Sequence, residues 1–308
     1  MKKKLIIITG PTASGKSGTA VKLAKKTDGE IISADSMQVY RHLNIGSAKI
    51  TDSEMCGIKH HLIDILEPEE EFNVYRFKEL AARACDEIYA CGKLPIIAGG
   101  TGFYIQALLY DVDFEEKEGD GGYRAELDRL LKEKGAGYLY KMLRETDPGY
   151  ADIVHENNVR RVMRALEYHH DTGELLSEHN RIQREKTSDY DFRYFVLNMP
   201  REELYKRIDE RVDIMFEQGL CDEVRALKER GLNTGHTSMQ GIGYRELLSY
   251  FDGEISLSDA KELIKKNSRH YAKRQLTWFR HEKDVIMINK EEFQYDDEKI
   301  IGFILGKL

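Results

Sequence analysis

The sequence has no stretch of about 18 apolar residues, no Cys-x-x-Cys pair, no internal repeat and no low-complexity tract. The first absence argues against a membrane-spanning helix. The four cysteines, Cys56, Cys85, Cys91 and Cys221, are scattered, which gives neither a disulfide framework nor a zinc site and fits the reduced thiols of a cytoplasmic protein. The lysine-rich start is followed by a short apolar run, Leu5-Ile6-Ile7-Ile8, and then by Thr9-Gly10. That run is too short for a secretory signal and leads into a glycine turn where a cleavage site would be needed. Net positive charge is missing too. The formal balance of −7 excludes a protein that coats nucleic acid without specificity, because that behaviour needs an excess of Lys and Arg over the whole surface. With 33% charged and 41% hydrophobic residues over 308 positions, the chain has room for a large α/β domain and one smaller appendage.

Charge is nevertheless unevenly spread. Between Lys261 and Lys283 eight Lys and Arg face two acids, so a polyanion could be met there while the rest of the surface repels it. Apolar runs at residues 5–9, 30–34, 61–66 and 94–98 alternate with helical stretches near 16–26 and 74–91, the pattern of crossover connections in a parallel sheet. An acidic, glycine-bearing connector at 111–122 marks a boundary. Residues 123–189 are polar and helix-forming with no convincing strand, and a strand-like run resumes at Phe192–Met199. The expected organisation is α/β: a parallel-sheet core of residues 1–111 and 190–308, interrupted by an all-helical insertion at 112–189.

The strongest local signal is Gly10-Pro11-Thr12-Ala13-Ser14-Gly15-Lys16-Ser17. It matches G-x-x-x-x-G-K-[ST] and lies between a predicted strand and a predicted helix, the context that the phosphate-binding loop requires. Its amides would converge on phosphate oxygens at a helix N-terminus, Lys16 would add a point charge, and the Ser17 hydroxyl suits Mg²⁺. Such a loop leaves open whether a nucleotide is hydrolysed, a phosphoryl group moved, or a diphosphate captured as a leaving group. Asp35, ending the second apolar run, should emerge at the carboxyl edge of the sheet near this loop, as a proton acceptor, a water-mediated Mg²⁺ ligand or a capping carboxylate. A third strand end, Gly99-Gly100-Thr101-Gly102, opens another helix. Three loops aimed at one edge carry more weight than any one of them.

The segments at 10–17, 34–49 (Ala-Asp-Ser-Met-Gln-Val-Tyr-Arg-His-Leu-Asn-Ile-Gly-Ser-Ala-Lys), 60–64, 99–104, 157–167, 239–247 and 271–280 (Tyr-Ala-Lys-Arg-Gln-Leu-Thr-Trp-Phe-Arg) resemble, in order and over nearly the whole chain, the signatures of the tRNA dimethylallyltransferase family. Ser17 replaces the commoner Thr but keeps the hydroxyl, and Arg41-His42-Leu43-Asn44 varies a more usual Arg-Gly-Met-Asp. The zinc-finger extension of some eukaryotic members has no counterpart here, as in the bacterial type. The resemblance implies transfer of dimethylallyl from dimethylallyl diphosphate to N6 of the adenosine just 3′ of the anticodon. It assigns Asp35 as proton acceptor, Thr101 to orient the nucleotide, and Arg211, with Arg207 as the alternative, to the diphosphate. It also places the anticodon stem-loop against Asp35, Ser36, Met37, Gln38, Thr101, Arg124, Val159, Arg160, Arg161, Val162 and Met163, and against Gln275, Trp278 and Arg280. A stacked adenine must be splayed out for such chemistry, so both parts of the chain should contribute RNA contacts. A small-molecule kinase, a free-nucleotide prenyltransferase and a non-enzymatic RNA-binding module are the rivals, and a cytoplasmic monomer is the expected form.

Overall fold

The computed structural model describes residues 2–110 and 122–308. The acidic connector expected at 111–122 lies, except for Gly122, outside the described residues, as does the expected boundary at 112. By contacts the chain divides into two compact units, one of Met1–Leu109 with Asp189–Leu308 and one of Tyr110–Ser188.

The larger unit is built on six strands: β1 (Lys3–Thr9), β2 (Gly29–Ala34), β3 (His60–His61), β4 (Leu94–Gly99), β5 (Tyr190–Asn198) and β6 (Val285–Asn289). They pair in the order β3-β2-β4-β1-β5-β6, every pair parallel. The inner strands are apolar on both faces, as a sheet covered by helices on both sides demands. Helices α1 (Lys16–Thr27), α2 (Asp52–Met55), α3 (Val74–Ala90) and α4 (Gly102–Leu109) lie in its first part. The core gathers Ile6, Ile8, Leu23, Ile31, Ile96 and Phe195 with Ile300 and Ile304 from the C-terminal helix. The expected strand at 61–66 is only two residues long. Leu62 and Asp64 take left-handed conformations, φ 64° and 53°, which end the extended backbone, and the chain touches a parallel partner again only at Leu66, opposite Tyr40.

The smaller unit holds α5 (Gly122–Lys134), α6 (Ala136–Thr146), α7 (Pro148–Ala151), α8 (Val159–Thr172) and α9 (Leu176–Glu185), with no strand among the described residues. Its core is leucine-rich, including Leu127, Leu139, Leu143 and Leu166. Asp147, buried, caps α7 by accepting from Tyr150 N at 2.9 Å and holds the start of α9 by accepting from Ser177 N at 2.8 Å. The larger unit then continues through α10 (Arg201–Glu217), α11 (Leu220–Glu229), α12 (Tyr244–Phe251), α13 (Leu257–His281) and α14 (Asp297–Leu305). No helix among the described residues is long and apolar enough to cross a membrane.

Strand register explains where the chemistry gathers. Thr9 sits opposite Gly99, and Gly99 opposite Ala34, so β1, β2 and β4 end on one row, and Gly10, Asp35 and Gly100 leave the sheet side by side. The row is tightly spaced: the Thr9 hydroxyl donates to Gly99 O at 2.6 Å, and a Cβ on Gly99 would stand 2.1 Å from Ala34 O. Gly99→Ala is therefore expected to force these strands apart and to cost about 1–3 kcal/mol, the usual range for overpacking. Urea unfolding with an unchanged stability would show that the row tolerates the methyl.

Candidate active site

The Gly10–Ser17 loop passes through left-handed Ala13 (φ 65°) and Gly15 (φ 86°) before α1. Gly15 offers no side-chain cap to the helix, so the first amides of α1 are left for an external anion. Lys16 curls back over the loop, its Nζ 3.5 Å from Pro11 O. Burial lowers its pKa to about 8; the Asp35 carboxylate raises it and the Arg211 guanidinium lowers it further. Lys16, Asp35 and Arg211 thus share one electrostatic neighbourhood.

Asp35 directly follows β2. Its Oδ1 accepts from Met37 N at 2.9 Å and Gln38 N at 3.2 Å, a turn that leaves Oδ2 as the oxygen available to a substrate. Thr101 N donates to Ala34 O at 3.2 Å, which brings the third loop against the residue before Asp35. Gln275 of α13 ties the loops together. Its buried side chain accepts from Thr12 N at 2.8 Å and donates to Gly100 O at 2.9 Å. Beside it lies Tyr271, whose phenol is pushed up to about 12, first by burial and then by the Asp35 charge, with the Thr101 hydroxyl, Arg274 and Gln275 opposing.

These residues open onto a cavity of about 410 Å³ lined by Thr12, Asp35, Ser36, Met37, Arg211 and Tyr271. Its other lining is largely apolar: Phe72, Ile208, Val212, Met215 and Tyr104, with Tyr104 stacked on Phe77 at 4.6 Å. A second, wider cavity of about 980 Å³ is lined by Ala13 and Gly15 of the loop, Lys49, Arg207 and Arg211. The two arginines differ in their partners. Arg207 is ion-paired with Glu203 at 2.7 Å and lies over the Tyr295 ring, whereas Arg211 lines both cavities, has no ion pair among the described residues, and is held below its ordinary pKa by burial.

The structure treats the expected RNA residues unequally. Ser36 and Met37 line the smaller cavity, but the Gln38 amide is turned to Ser47 O and Ala48 O at 3.4 and 3.2 Å. Val162 and Met163 are 1% and 2% exposed in the helical core of the smaller unit; their side chains cannot meet RNA, which corrects that expectation. The signal was present: Val159, Val162, Met163 and Leu166 recur at i, i+3, i+4 and i+7, a core stripe. Arg160, Arg161 and Arg164 are exposed without ion pairs among the described residues, while Arg124 is engaged by Glu167 at 2.8 Å. Gln275 is occupied by the two loops, and Trp278 packs on Gly102, where a Cβ would stand 2.3 Å from the indole. The basic run is also thinner than its composition suggests. Lys261 and Lys265 share Asp213 of α10 and Arg269 pairs with Asp209, whereas Lys266, Lys273, Arg274 and Arg280 are exposed without an ion pair among the described residues, Arg274 resting over the Tyr271 ring. Reading the sequence missed Tyr271 as a cavity residue and Gln275 as a tie, because both lie over 160 residues from the loops they touch.

The family model described as IPP transferase matches residues 38–282, and one described as isopentenyl transferase matches 3–67. A tRNA dimethylallyltransferase of Lachnoclostridium phytofermentans is 53% identical over 292 residues, 95% of this chain and 93% of that protein. The solved full-length tRNA isopentenylpyrophosphate transferase of Bacillus halodurans superposes with a TM-score of 0.74 at 43% identity, covering 100% of this chain and 97% of that one. A eukaryotic dimethylallyltransferase solved acting on tRNA gives a TM-score of 0.78 at 32% identity, over 93% of this chain and 74% of that one. A parallel-sheet core with a phosphate loop, a carboxylate at the next strand end and relatives matched end to end leave one assignment: the chain belongs to the IPP transferase family, among its tRNA dimethylallyltransferases.

Proposed function

We propose that the protein transfers the dimethylallyl group of dimethylallyl diphosphate to N6 of the adenosine immediately 3′ of the anticodon in tRNA, releasing diphosphate. The observation that carries this reading is the shared neighbourhood of two buried cations without an ion pair among the described residues, Lys16 and Arg211, and one carboxylate with a free oxygen, Asp35. A kinase site does not need that apolar lining beside its phosphate loop, whereas a C5 isoprenyl chain does.

In this mechanism the N6 lone pair attacks C1 of the allylic chain as the C1–O bond breaks, and the electron pair leaves with the diphosphate. Lys16, the loop amides and Arg211 stabilise that growing charge in a site fixed before reaction. The proton lost from N6 passes to Asp35 Oδ2. Thr101, one residue past the Gly100 carbonyl that Gln275 grips, orients the nucleotide. The residues fit Mg²⁺ bound chiefly through substrate: the exposed Ser17 hydroxyl offers one ligand, no cluster of three acidic, His or Cys ligands exists among the described residues, and Mg²⁺ commonly keeps waters and phosphate oxygens around few protein groups. Held there, Mg²⁺ would supply charge neutralisation to the departing diphosphate beside Lys16 and Arg211. In the smaller unit Arg160 and Arg161 sit in the first turn of α8, where the helix dipole disfavours cations. With Arg164 they are best explained as phosphate contacts for the anticodon stem-loop, with Lys266, Lys273 and Arg280 as a second set. The protein is read as a cytoplasmic monomer.

Asp35→Asn is expected to lower kcat by about 10²–10⁴-fold with tRNA affinity retained; near-normal turnover would make Asp35 a turn residue only. Because the Lys16 ammonium is the form that binds diphosphate and its pKa in the free site is about 8, affinity for dimethylallyl diphosphate should be full below that pH and fall as pH rises through it. The break should vanish in Lys16→Ala, and an unchanged break would assign it elsewhere. Replacing Arg160, Arg161 and Arg164 by alanine should flatten the salt dependence of tRNA binding by about 0.7 log units for each single-strand phosphate no longer neutralised. An unaltered slope would remove α8 from the RNA-binding surface.

A further inference from the structure

Residues 44–48 form a short loop that lines both cavities: Gly46, Ser47 and Ala48 face the smaller one, and Asn44, Ile45 and Ala48 the wider one. Besides its own turn bonds and the Lys49 ammonium on the Asn44 side chain, the loop is gripped by one carboxylate from another helix. Glu223 of α11 accepts from three successive amides, Asn44 N at 2.9 Å and Ile45 N at 2.8 Å on Oε2, and Gly46 N at 3.0 Å on Oε1. Its Oε1 also accepts from the Tyr244 phenol at 2.8 Å. Tyr244 in turn lies flush against the loop, since a Cβ on Gly46 would stand 2.6 Å from its ring. Four hydrogen bonds to an ionised acceptor are individually stronger than neutral ones and together fix both oxygens in direction. On its other side the loop receives the Gln38 amide at Ser47 O and Ala48 O, and Gln38 N donates to Asp35 Oδ1. A continuous chain of contacts therefore runs from α11 through the loop to the carboxylate at the end of β2.

We propose that Glu223 is a positioning residue for the transfer reaction: by anchoring the 44–48 loop it fixes Gln38, and through Gln38 the turn that aims Asp35 at the adenosine. The proposal rests on Asp35 being the proton acceptor. Neither Glu223 nor Tyr244 lines the cavity of Asp35, so both act only through the loop.

The test uses the full chain with an anticodon stem-loop and dimethylallyl diphosphate. Glu223→Gln keeps the shape but turns an NH₂ toward N–H and O–H donors. It should slow the single-turnover rate by about 10–100-fold, the scale of a small misplacement of reacting groups. The KM for dimethylallyl diphosphate should change little, and amides 44–46 should exchange hydrogen faster. Tyr244→Phe, which removes the phenol's bond to Glu223 and its contacts to the Gly46 and Ser47 backbone but keeps the ring and the three amide bonds to the carboxylate, should give a smaller loss in the same direction; it also serves as the test if Glu223→Gln fails to fold. In an Asp35→Asn background Glu223→Gln should add little further loss, because both changes act at one step. A wild-type single-turnover rate in Glu223→Gln, with Asp35→Asn inactive, overturns the positioning role alone. A wild-type rate in Asp35→Asn overturns the base assignment and the route through Gln38 with it. Equal additional losses in both backgrounds show that Glu223 acts elsewhere and overturn the proposal.

Discussion

The buried amide of Gln275 is the contact on which the arrangement of the site depends. The three loops leave the sheet in register, but register alone fixes only their starting points. Beyond Thr9 and Gly99 the loops have few apolar side chains with which to pack on one another. An amide that accepts from Thr12 N and donates to Gly100 O satisfies one group on each loop and sets their separation. Side-chain amides suit this role because donor and acceptor are rigidly coupled, so both bonds must be made together or both are strained. Thr101 follows Gly100 at once, and its amide returns to Ala34 O. The positions of the phosphate loop, Thr101 and Asp35 are thereby linked through α13, a helix from the far end of the sequence.

The second constraint is electrostatic. Lys16 and Arg211 are both held below their ordinary pKa by burial, which means the folded chain keeps two desolvated cations close together, offset by the Asp35 charge at Lys16 and the Glu54 charge at Arg211 but ion-paired with neither. Such an arrangement opposes folding. An anion placed between them would repair that deficit, which is the physical ground for the proposed diphosphate site. Arg207, one turn away, is the contrast: its charge is met by Glu203, and it has correspondingly little left for a ligand.

Sequence reading captured what is local. The sheet, the phosphate loop and the carboxyl-edge placement of Asp35 and Thr101 all follow from short runs whose chemistry and flanking turns agree. It overreached at 61–66, where apolar composition suggested a strand but the backbone turns left-handed at Leu62 and Asp64; nothing in the residue types marks that reversal. Val162 and Met163 were misplaced for a different reason. Their periodicity said core while the family resemblance said RNA, and periodicity, which follows from the geometry of a helix, was the better guide. Gln275, Tyr271 and the Glu223 anchor were out of reach because each acts across a separation that only the folded topology closes.

The same separation accounts for a chain of net charge −7 binding a polyanion. Many of its acids are spent inside its own unit: Asp209 and Asp213 neutralise the inner side of α13, and Glu67 and Glu69 hold Arg230. What remains for a partner is decided by which cations lack such a neighbour, and among the described residues these include Arg160, Arg161 and Arg164 on α8 and Lys266, Lys273, Arg274 and Arg280 on α13. Long-range attraction from an acidic protein to RNA is weak at physiological salt, because the Debye length of about 8 Å confines each charge to its surroundings. Whatever attraction an RNA phosphate feels is therefore local, set by the cations within about that distance of it and not by the net charge of the chain.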